Sequence, residues 1–296
     1  MMLIEYLQSQ PALASGVALV FGLLVGSFLN VVIYRLPVML ERDWRAQARE
    51  VLASDADTGP VRGESDAPFN LIVPRSRCPS CGHAIRAHEN IPIVSYALQR
   101  GRCRACGWRI PLRYPAVELL SGVLSLIAVA HFGVTFTACA ALGLTYALVA
   151  LAFIDLDTQY LPDCITLPLL WAGLAVNLAG TGTFASLRDA VVGAIAGYLS
   201  LWSIYWLFKL IARKEGMGYG DFKLMAALGA WMGWSMLPAT VLLSSLAGAV
   251  VGVTLIVVRG HDRQVPIPFG PFIAAAGWTC LLWGEALNRV YLGAAG

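Results

Sequence analysis

Charged residues are scarce in this chain. Of its 296 residues only 13% are Asp, Glu, Lys or Arg, and the mean hydropathy is +0.67. A soluble protein carries about a quarter charged residues, so this composition excludes an ordinary soluble domain. The first ten residues also lack Lys and Arg, and they include Glu5. Because a cleaved signal peptide begins with a basic region, we expect the first apolar segment to be retained as a membrane span.

Long apolar runs take the place of the missing charge. A bilayer-spanning helix needs about 20 mostly apolar residues, and a helix satisfies its own backbone hydrogen bonds where lipid cannot. Eight runs fit, the sixth of them short: 12–34, 115–132, 136–154, 162–179, 187–209, 222–234, 236–258 and 268–288. The sequence therefore predicts an all-α polytopic membrane protein with about eight transmembrane helices.

An arginine-rich polar loop separates the first run from the other seven. Residues 1–36 predict the first transmembrane helix, which we expect Pro37 to end because proline interrupts helical hydrogen bonding. Residues 37–114 form the loop. Within it, 53–70 has the small, acidic, proline and glycine residues of a flexible linker. Residues 115–296 predict a seven-helix membrane domain.

The basic residues are unevenly distributed between the two sides of the predicted spans. With the N-terminus outside, 19 of the 21 Lys and Arg residues fall on the inside, and only Arg188 and Arg289 fall outside. Cytoplasmic loops of membrane proteins carry an excess of Lys and Arg. We therefore expect a periplasmic N-terminus and a cytoplasmic large loop.

Histidine is rare and a nucleotide-binding loop is missing. The chain has four histidines, and the two outside the large loop, His131 and His261, have no evident serine partner. This argues against a serine hydrolase.

The stretch "GMGYG" (216–220) is not followed by Lys-Ser or Lys-Thr, and no strand is expected before it, so it is not a phosphate-binding loop.

Two C-x-x-C pairs lie in the large loop, "CPSCGHAI" and "CRACGWRI", with 21 residues between the pairs. Their cysteines are Cys78, Cys81, Cys103 and Cys106. Two such turns complete a tetrahedral zinc site without an open position for water, and a glycine after each pair permits the tight backbone. The pattern favours structural zinc over a thioredoxin-like redox role. His83 and His88 are alternative ligands or, more simply, surface residues.

Aspartates stand at two junctions between apolar runs that face the cytoplasm in this topology. "IDLDTQYLPD" carries Asp155, Asp157 and Asp163, and "GYGD" ends in Asp221. Ionisable residues at membrane depth are costly and are functional candidates by default. Asp163 follows a proline and precedes an apolar run, which predicts a helix N-cap or a position close to it. Asp157 is expected to face the loop and to support the site from outside.

The glycines in front of Asp221 set it apart from an ordinary carboxylate at a helix start. Gly216, Gly218 and Gly220 permit positive φ and a very close approach of another backbone. Two carboxylates brought together share one proton, since like charges so close cannot both ionise. One can then act as a base on water and the other as an acid towards a peptide carbonyl. Asp155 and Asp221 are therefore candidates for peptide hydrolysis.

An ordered set of motifs resembles the bacterial type IV prepilin peptidases, a group of the G-x-G-D intramembrane aspartyl proteases. The set covers nearly the whole chain and consists of "GSFLNVVIYRLP", the two cysteine pairs with "ENIPIVSY" between them, "RYPAVELL", "IDLDTQYLPD", "EGMGYGDFKL" and "PIPFGPF". The G-x-G-D signature alone is weak, whereas the ordered set is specific.

The resemblance implies an activity, a location and residue roles. Members cleave the short basic leader of type IV prepilins or pseudopilins at the cytoplasmic face of the inner membrane. They then methylate the new N-terminal residue with S-adenosylmethionine, and they serve pili or type II secretion. By resemblance Asp155 and Asp221 are catalytic and the four cysteines bind zinc. Gly218, Gly220 and Asp157 are expected to support the site because of their places beside these aspartates in the sequence. No residue for the methyl donor can be carried over.

Two other classes of function remain open from the residues alone. In a proton- or cation-coupled transporter, Asp155 and Asp221 would carry the transported charge, but no repeat is visible and the aspartates lie near one face. In an assembly protein, the cysteine loop would dock partners and the helices would only anchor it. That class leaves the glycine-flanked Asp221 unexplained.

Overall fold

The computed structural model describes residues 2–54, 68–180, 183–213, 217–259 and 267–293. Within these ranges the secondary structure is helical, apart from two isolated β-bridges. The helices are α1 (Met2–Ser9), α2 (Pro11–Ser54), α3 (Val94–Leu98), α4 (Arg113–Phe132), α5 (Phe136–Thr158), α6 (Asp163–Ala179), α7 (Leu187–Ala212), α8 (Tyr219–Met232), α9 (Leu237–Arg259) and α10 (Gly270–Gly293). The all-α prediction is confirmed.

Each of the eight predicted runs falls on one of these helices. Five are long and apolar enough to cross a membrane: Pro11–Leu52, Arg113–Phe132, Phe136–Thr158, Leu187–Ala212 and Trp234–Val258. The helix Asp163–Ala179 is apolar but shorter. The remaining two runs correspond to α8, with 14 residues, and to α10, with 24 residues that include Glu285 and Arg289.

The prediction that Pro37 ends the first helix is wrong. Helix α2 passes through Pro37 and continues to Ser54. Proline removes only one helical hydrogen bond, and the segment after it is rich in Leu, Glu, Arg and Ala, which favour helix. Glu41 and Arg45 form an (i, i+4) ion pair of 2.6 Å on this extension. Of the predicted linker 53–70, residues 55–67 lie outside the described residues.

The chain divides into two compact units, Val20–Val123 and Met1–Leu19 with Leu124–Gly296. The first unit contains the cysteine loop. Its segment after the linker is held by Arg35, which is 8% exposed and donates to the carbonyl oxygens of Asn70 (2.8 Å) and Pro74 (2.6 Å). Glu118 in α4 accepts a hydrogen bond from the Ile93 N–H at 2.8 Å. The loop is therefore tied to α2 and to α4.

Helix α8 lies at the centre of the second unit, between α6, α7 and α10. From Asp221 to Met232 every residue except Lys223 is buried. Glycines allow its neighbours to approach: a Cβ on Gly229 would collide with the carbonyl of Gly193, and one on Gly197 would lie 2.6 Å from the Met225 oxygen. Close backbone packing through small residues is typical of helices in membranes. The helix that carries Asp221 is thus held on several sides.

Candidate active site and metal centre

The four loop cysteines come together as predicted. Their Sγ atoms all lie within 4.8 Å of one another, and those of Cys78 and Cys106 are 3.8 Å apart. A tetrahedral zinc ion with Zn–S bonds of about 2.3 Å has sulfur atoms about 3.8 Å apart. The donor set therefore fits zinc, and each pair supplies two of the four ligands.

The two cysteine turns share one backbone pattern. Cys78 N–H donates to the His83 carbonyl and Gly82 N–H to the Cys78 carbonyl, both at 2.9 Å. The second turn repeats this with Cys103 to Trp108 and Gly107 to Cys103, both at 2.8 Å. Both glycines have positive φ, +71° and +73°. The predicted need for glycine after each pair is confirmed, because side chains rarely adopt this conformation.

Local hydrogen bonds favour the thiolate at Cys78. The backbone N–H of Cys81 lowers the Cys78 pKa, burial opposes it, and the N–H of Ser80 lowers it further, with a net result of about 7. Thiolate is the form that binds metal. His83 is not in the cluster, and its Nε2 lies 3.4 Å from Glu89 Oε2. His88 is also outside the cluster of four.

Asp155 lies near the end of α5 and is 4% exposed. Its Oδ2 accepts a hydrogen bond from the backbone N–H of Gly270, at 2.9 Å. Gly270 is the first residue of α10, so its N–H has no partner inside that helix and is free to bind a carboxylate. A Cβ at this position would lie 2.7 Å from the same oxygen. A carboxylate can reach this helix start only because residue 270 is glycine.

Asp221 is the third residue of α8 and is 6% exposed. Its Oδ2 accepts a hydrogen bond from the backbone N–H of Gly218 at 3.2 Å. Its other oxygen, Oδ1, is buried and has no hydrogen-bond partner among the described residues. Buried polar atoms are rarely left without a partner, and an exception calls for an explanation such as water or a catalytic role.

The two buried aspartates lie beside one shared neighbour, because Gly220 precedes Asp221 and Gly270 binds the carboxylate of Asp155. Leu161 lies against both helix starts: it contacts the Cβ positions of Gly220 (2.7 Å) and Gly270 (3.3 Å). The structure thus brings together the two aspartates that the sequence singled out, although they are 66 positions apart.

The other two aspartates lie outside this pair. Asp157 is exposed near the end of α5. Asp163 is the first residue of α6, one position after the N-cap Pro162, and both of its oxygens bind Lys223 Nζ, at 2.6 and 2.7 Å. The expectation of a position at or close to the N-cap therefore holds. The ion pair with Lys223, like the contributions of Leu161 and Gly270, was not predicted.

The glycines before Asp221 act differently from what the sequence suggested. Gly218 has extended backbone, with φ −79°, and Gly220 lies within α8. Neither has positive φ. Gly220 does permit a close approach, but its neighbour is Leu161 of the same chain. Gly216 lies outside the described residues.

Two cavities lie away from the aspartates. One, of about 420 Å³, is lined by residues that include His131, Met232 and Arg289. The other, of about 440 Å³, adjoins Cys103 and includes Glu89 and Gln99. Neither is lined by Asp155 or Asp221.

Comparisons with known proteins agree with this arrangement. A family model described as Bacterial Peptidase A24 N-terminal domain matches residues 20–132, and one described as Type IV leader peptidase family matches residues 142–253. A protein of Stutzerimonas stutzeri named "Prepilin leader peptidase/N-methyltransferase" is 54% identical over 98% of this chain and 97% of its own length. This chain belongs to the type IV leader peptidase family.

Further relatives with the same name support that membership. The protein of Aeromonas hydrophila is 54% identical over 98% of both chains, and that of Pseudomonas aeruginosa is 53% identical over 100% of this chain and 99% of its own. No solved structure matches the chain. Within the leader peptidase family, the N-terminal model covers the four cysteines and the second model covers both buried aspartates.

Proposed function

We propose that this chain is an aspartic endopeptidase that removes the basic leader of type IV prepilins and pseudopilins and then methylates the newly exposed N-terminal residue. The observation that carries the proposal is the pair of buried carboxylates, Asp155 and Asp221, with a buried oxygen of Asp221 that lacks a protein partner. The relatives named above carry both activities in their names. Family membership gives no support to a transporter.

Cleavage requires a proton acceptor and a proton donor at the same peptide bond. In our proposal one aspartate takes a proton from water, and the water oxygen attacks the carbonyl carbon of the leader's last residue. The second aspartate donates its proton to the carbonyl oxygen. Collapse of this intermediate breaks the C–N bond. The first aspartate gives the proton that it took from water to the leaving amine, and the second aspartate takes its proton back from the oxygen as the carbonyl re-forms. Backbone N–H groups of Gly270 and Gly218 hold the two carboxylates in place.

Zinc and the methyl donor have separate roles. Zinc held by Cys78, Cys81, Cys103 and Cys106 would cross-link the loop, and with four cysteine ligands it has no open position for chemistry. S-adenosylmethionine supplies the methyl group to the new amine, which must be deprotonated to accept it.

The membrane setting follows from the charge distribution. We propose that the chain lies in the bacterial inner membrane with a periplasmic N-terminus and a cytoplasmic cysteine loop, because 19 of the 21 basic residues then face the cytoplasm. This orientation also puts the ends of α5 and α8 that carry the aspartates on the side where a basic leader would lie. Reporter fusions after Arg113 and after Arg188 should report opposite sides of the membrane.

The decisive experiment compares leader cleavage by purified wild type, Asp155→Asn and Asp221→Asn in detergent, with Asp43→Asn, at an exposed position of α2, as the control. Asparagine keeps the shape and removes the ionisable group. We expect both test variants to fold and to lose cleavage, while the Asp43 variant retains it. If Asp155→Asn or Asp221→Asn still cleaves, the assignment of that aspartate is wrong. Methyl transfer to a synthetic peptide that begins at the mature N-terminus should survive in both, since it needs no hydrolysis.

A further inference from the structure

A short connection follows the helix that carries Asp155 and packs against the start of the helix that carries Asp221. The segment Gln159–Asp163 joins α5 to α6. Gln159 has left-handed backbone (φ 54°), and its N–H donates to the Asp155 carbonyl oxygen at 2.8 Å. The beginning of the connection is thereby fixed to the residue whose carboxylate we propose to be catalytic.

In the middle of this connection Leu161 separates two helix starts. It is 3% exposed, and it packs on Gly220 of α8 and on Gly270 of α10. Gly220 is the neighbour of Asp221, and Gly270 holds the carboxylate of Asp155. Since interiors are close-packed and transmit strain, the size of the Leu161 side chain sets how far apart these two glycines can be.

At its end the connection is tied to α8 by an ion pair. Asp163 binds Lys223 through both carboxylate oxygens. Residues two positions apart on a helix do not face each other, so Lys223 points away from Asp221 and towards α6. The ion pair therefore holds the first turns of α8 without neutralising the aspartate on them.

Different contacts hold the other end of α8. Asn177 of α6, which is 1% exposed, donates to the carbonyl oxygens of Ala230 (3.0 Å) and Trp231 (2.9 Å). Trp231 Nε1 donates in turn to the Leu169 carbonyl at 2.8 Å. Loss of the ion pair would thus loosen the end that bears Asp221 and leave the far end packed.

We propose that the segment Gln159–Asp163 is a strut that sets the separation of Asp155 and Asp221, with Leu161 and Asp163 as its positioning residues. This inference rests on the proposed function, because it assigns the segment to the same cleavage reaction. Neither side chain takes part in the chemistry. The strut acts by placing the first turn of α8 relative to the end of α5.

The test compares Asp163→Asn with the conservative Asp163→Glu, and uses Asn177→Ala as a control at the opposite end of α8. A displacement of about 1 Å can cost on the order of 100-fold in rate, so we expect Asp163→Asn to lower kcat about 10- to 100-fold. KM and Tm should stay close to wild type. Asp163→Glu should recover most of kcat, because it can still bind Lys223. Asn177→Ala should lower Tm and leave kcat per folded molecule unchanged.

A second variant, Leu161→Ala, removes most of the side chain that lies between Gly220 and Gly270 and keeps the ion pair of Asp163 with Lys223. It should lower kcat for cleavage while methyl transfer to a pre-cleaved peptide continues. Wild-type kcat in both Asp163→Asn and Leu161→Ala would refute the proposal that this segment sets the separation of Asp155 and Asp221. So would a pattern in which Asp163→Asn lowers Tm as Asn177→Ala does and leaves kcat per folded molecule unchanged. If instead the assignment of Asp155 and Asp221 as the catalytic pair is wrong, Asp221→Asn will still cleave.

Discussion

Replacing Gly270 by alanine tests the placement of Asp155 without touching a carboxylate. The new Cβ would lie 2.7 Å from Asp155 Oδ2 and 3.1 Å from its Cγ. An ordinary contact begins at 3.4 Å, so the carboxylate or the start of α10 must move by about 0.7 Å. Such a shift also lengthens the 2.9 Å hydrogen bond from the Gly270 N–H. With rates falling on the order of 100-fold for a displacement of about 1 Å, we expect kcat to fall by about 10- to 100-fold.

The assay is leader cleavage by the purified variant under saturating substrate, with methyl transfer to a pre-cleaved peptide measured in parallel. Gly143→Ala is the matched control, because it lies on the same helix as Asp155 and a Cβ there meets nothing within 4 Å. That variant should cleave at the wild-type rate. Methyl transfer should be unaffected in both. A folded Gly270→Ala protein with wild-type kcat would refute the role of this carboxylate as the structure positions it.

Three further predictions concern the metal centre and the contacts within each of the two units. Cys78→Ser, or a strong chelator, should release zinc and expose residues 68–112 to protease, since structural zinc contributes about 10–16 kcal/mol of binding free energy; a zinc-free variant as protease-resistant as wild type would contradict this. Gly229→Ala should cost about 1–3 kcal/mol because its Cβ meets the Gly193 carbonyl, and an unchanged Tm would count against the packing. Arg35→Leu should cost about 1–3 kcal/mol by leaving two carbonyl oxygens unpaired; limited proteolysis after Phe69 would show it, and wild-type resistance would exclude it.

Much of the fold could be predicted because membrane helices leave a strong local signal. Twenty apolar residues in sequence identify a span without any knowledge of its neighbours, and all eight runs became helices. The boundary at Pro37 failed because a local rule for proline was outweighed by the helix formers that follow it. Helix α8 was found although it is short, but its central position could not be predicted, since burial among other helices depends on contacts between distant segments.

Some residues of the candidate site could likewise be predicted from the sequence, and others could not. Cysteine pairs and intramembrane aspartates carry chemical signals that stand out from an apolar background, so both sets were found. Leu161 and Gly270 look like ordinary residues of an apolar protein, and only the folded chain shows that they contact the helix starts. Asp163 had a sufficient local explanation as a residue close to an N-cap, which concealed a partner 60 positions away.

The burial of α8 has a consequence for how the surrounding membrane can influence the enzyme. Its side chains from Leu224 to Met232 are buried in the protein. In contrast, only 6% of the apolar 18-residue stretch within Trp234–Val258, which contains most of α9, is buried. Changes in acyl-chain length or lipid headgroup act directly on α9, whereas Asp221 lies on a helix that packs among α6, α7 and α10. Cleavage should therefore vary little between bilayers that differ in thickness, and a lipid dependence of activity would point to the delivery of the substrate and not to the catalytic centre.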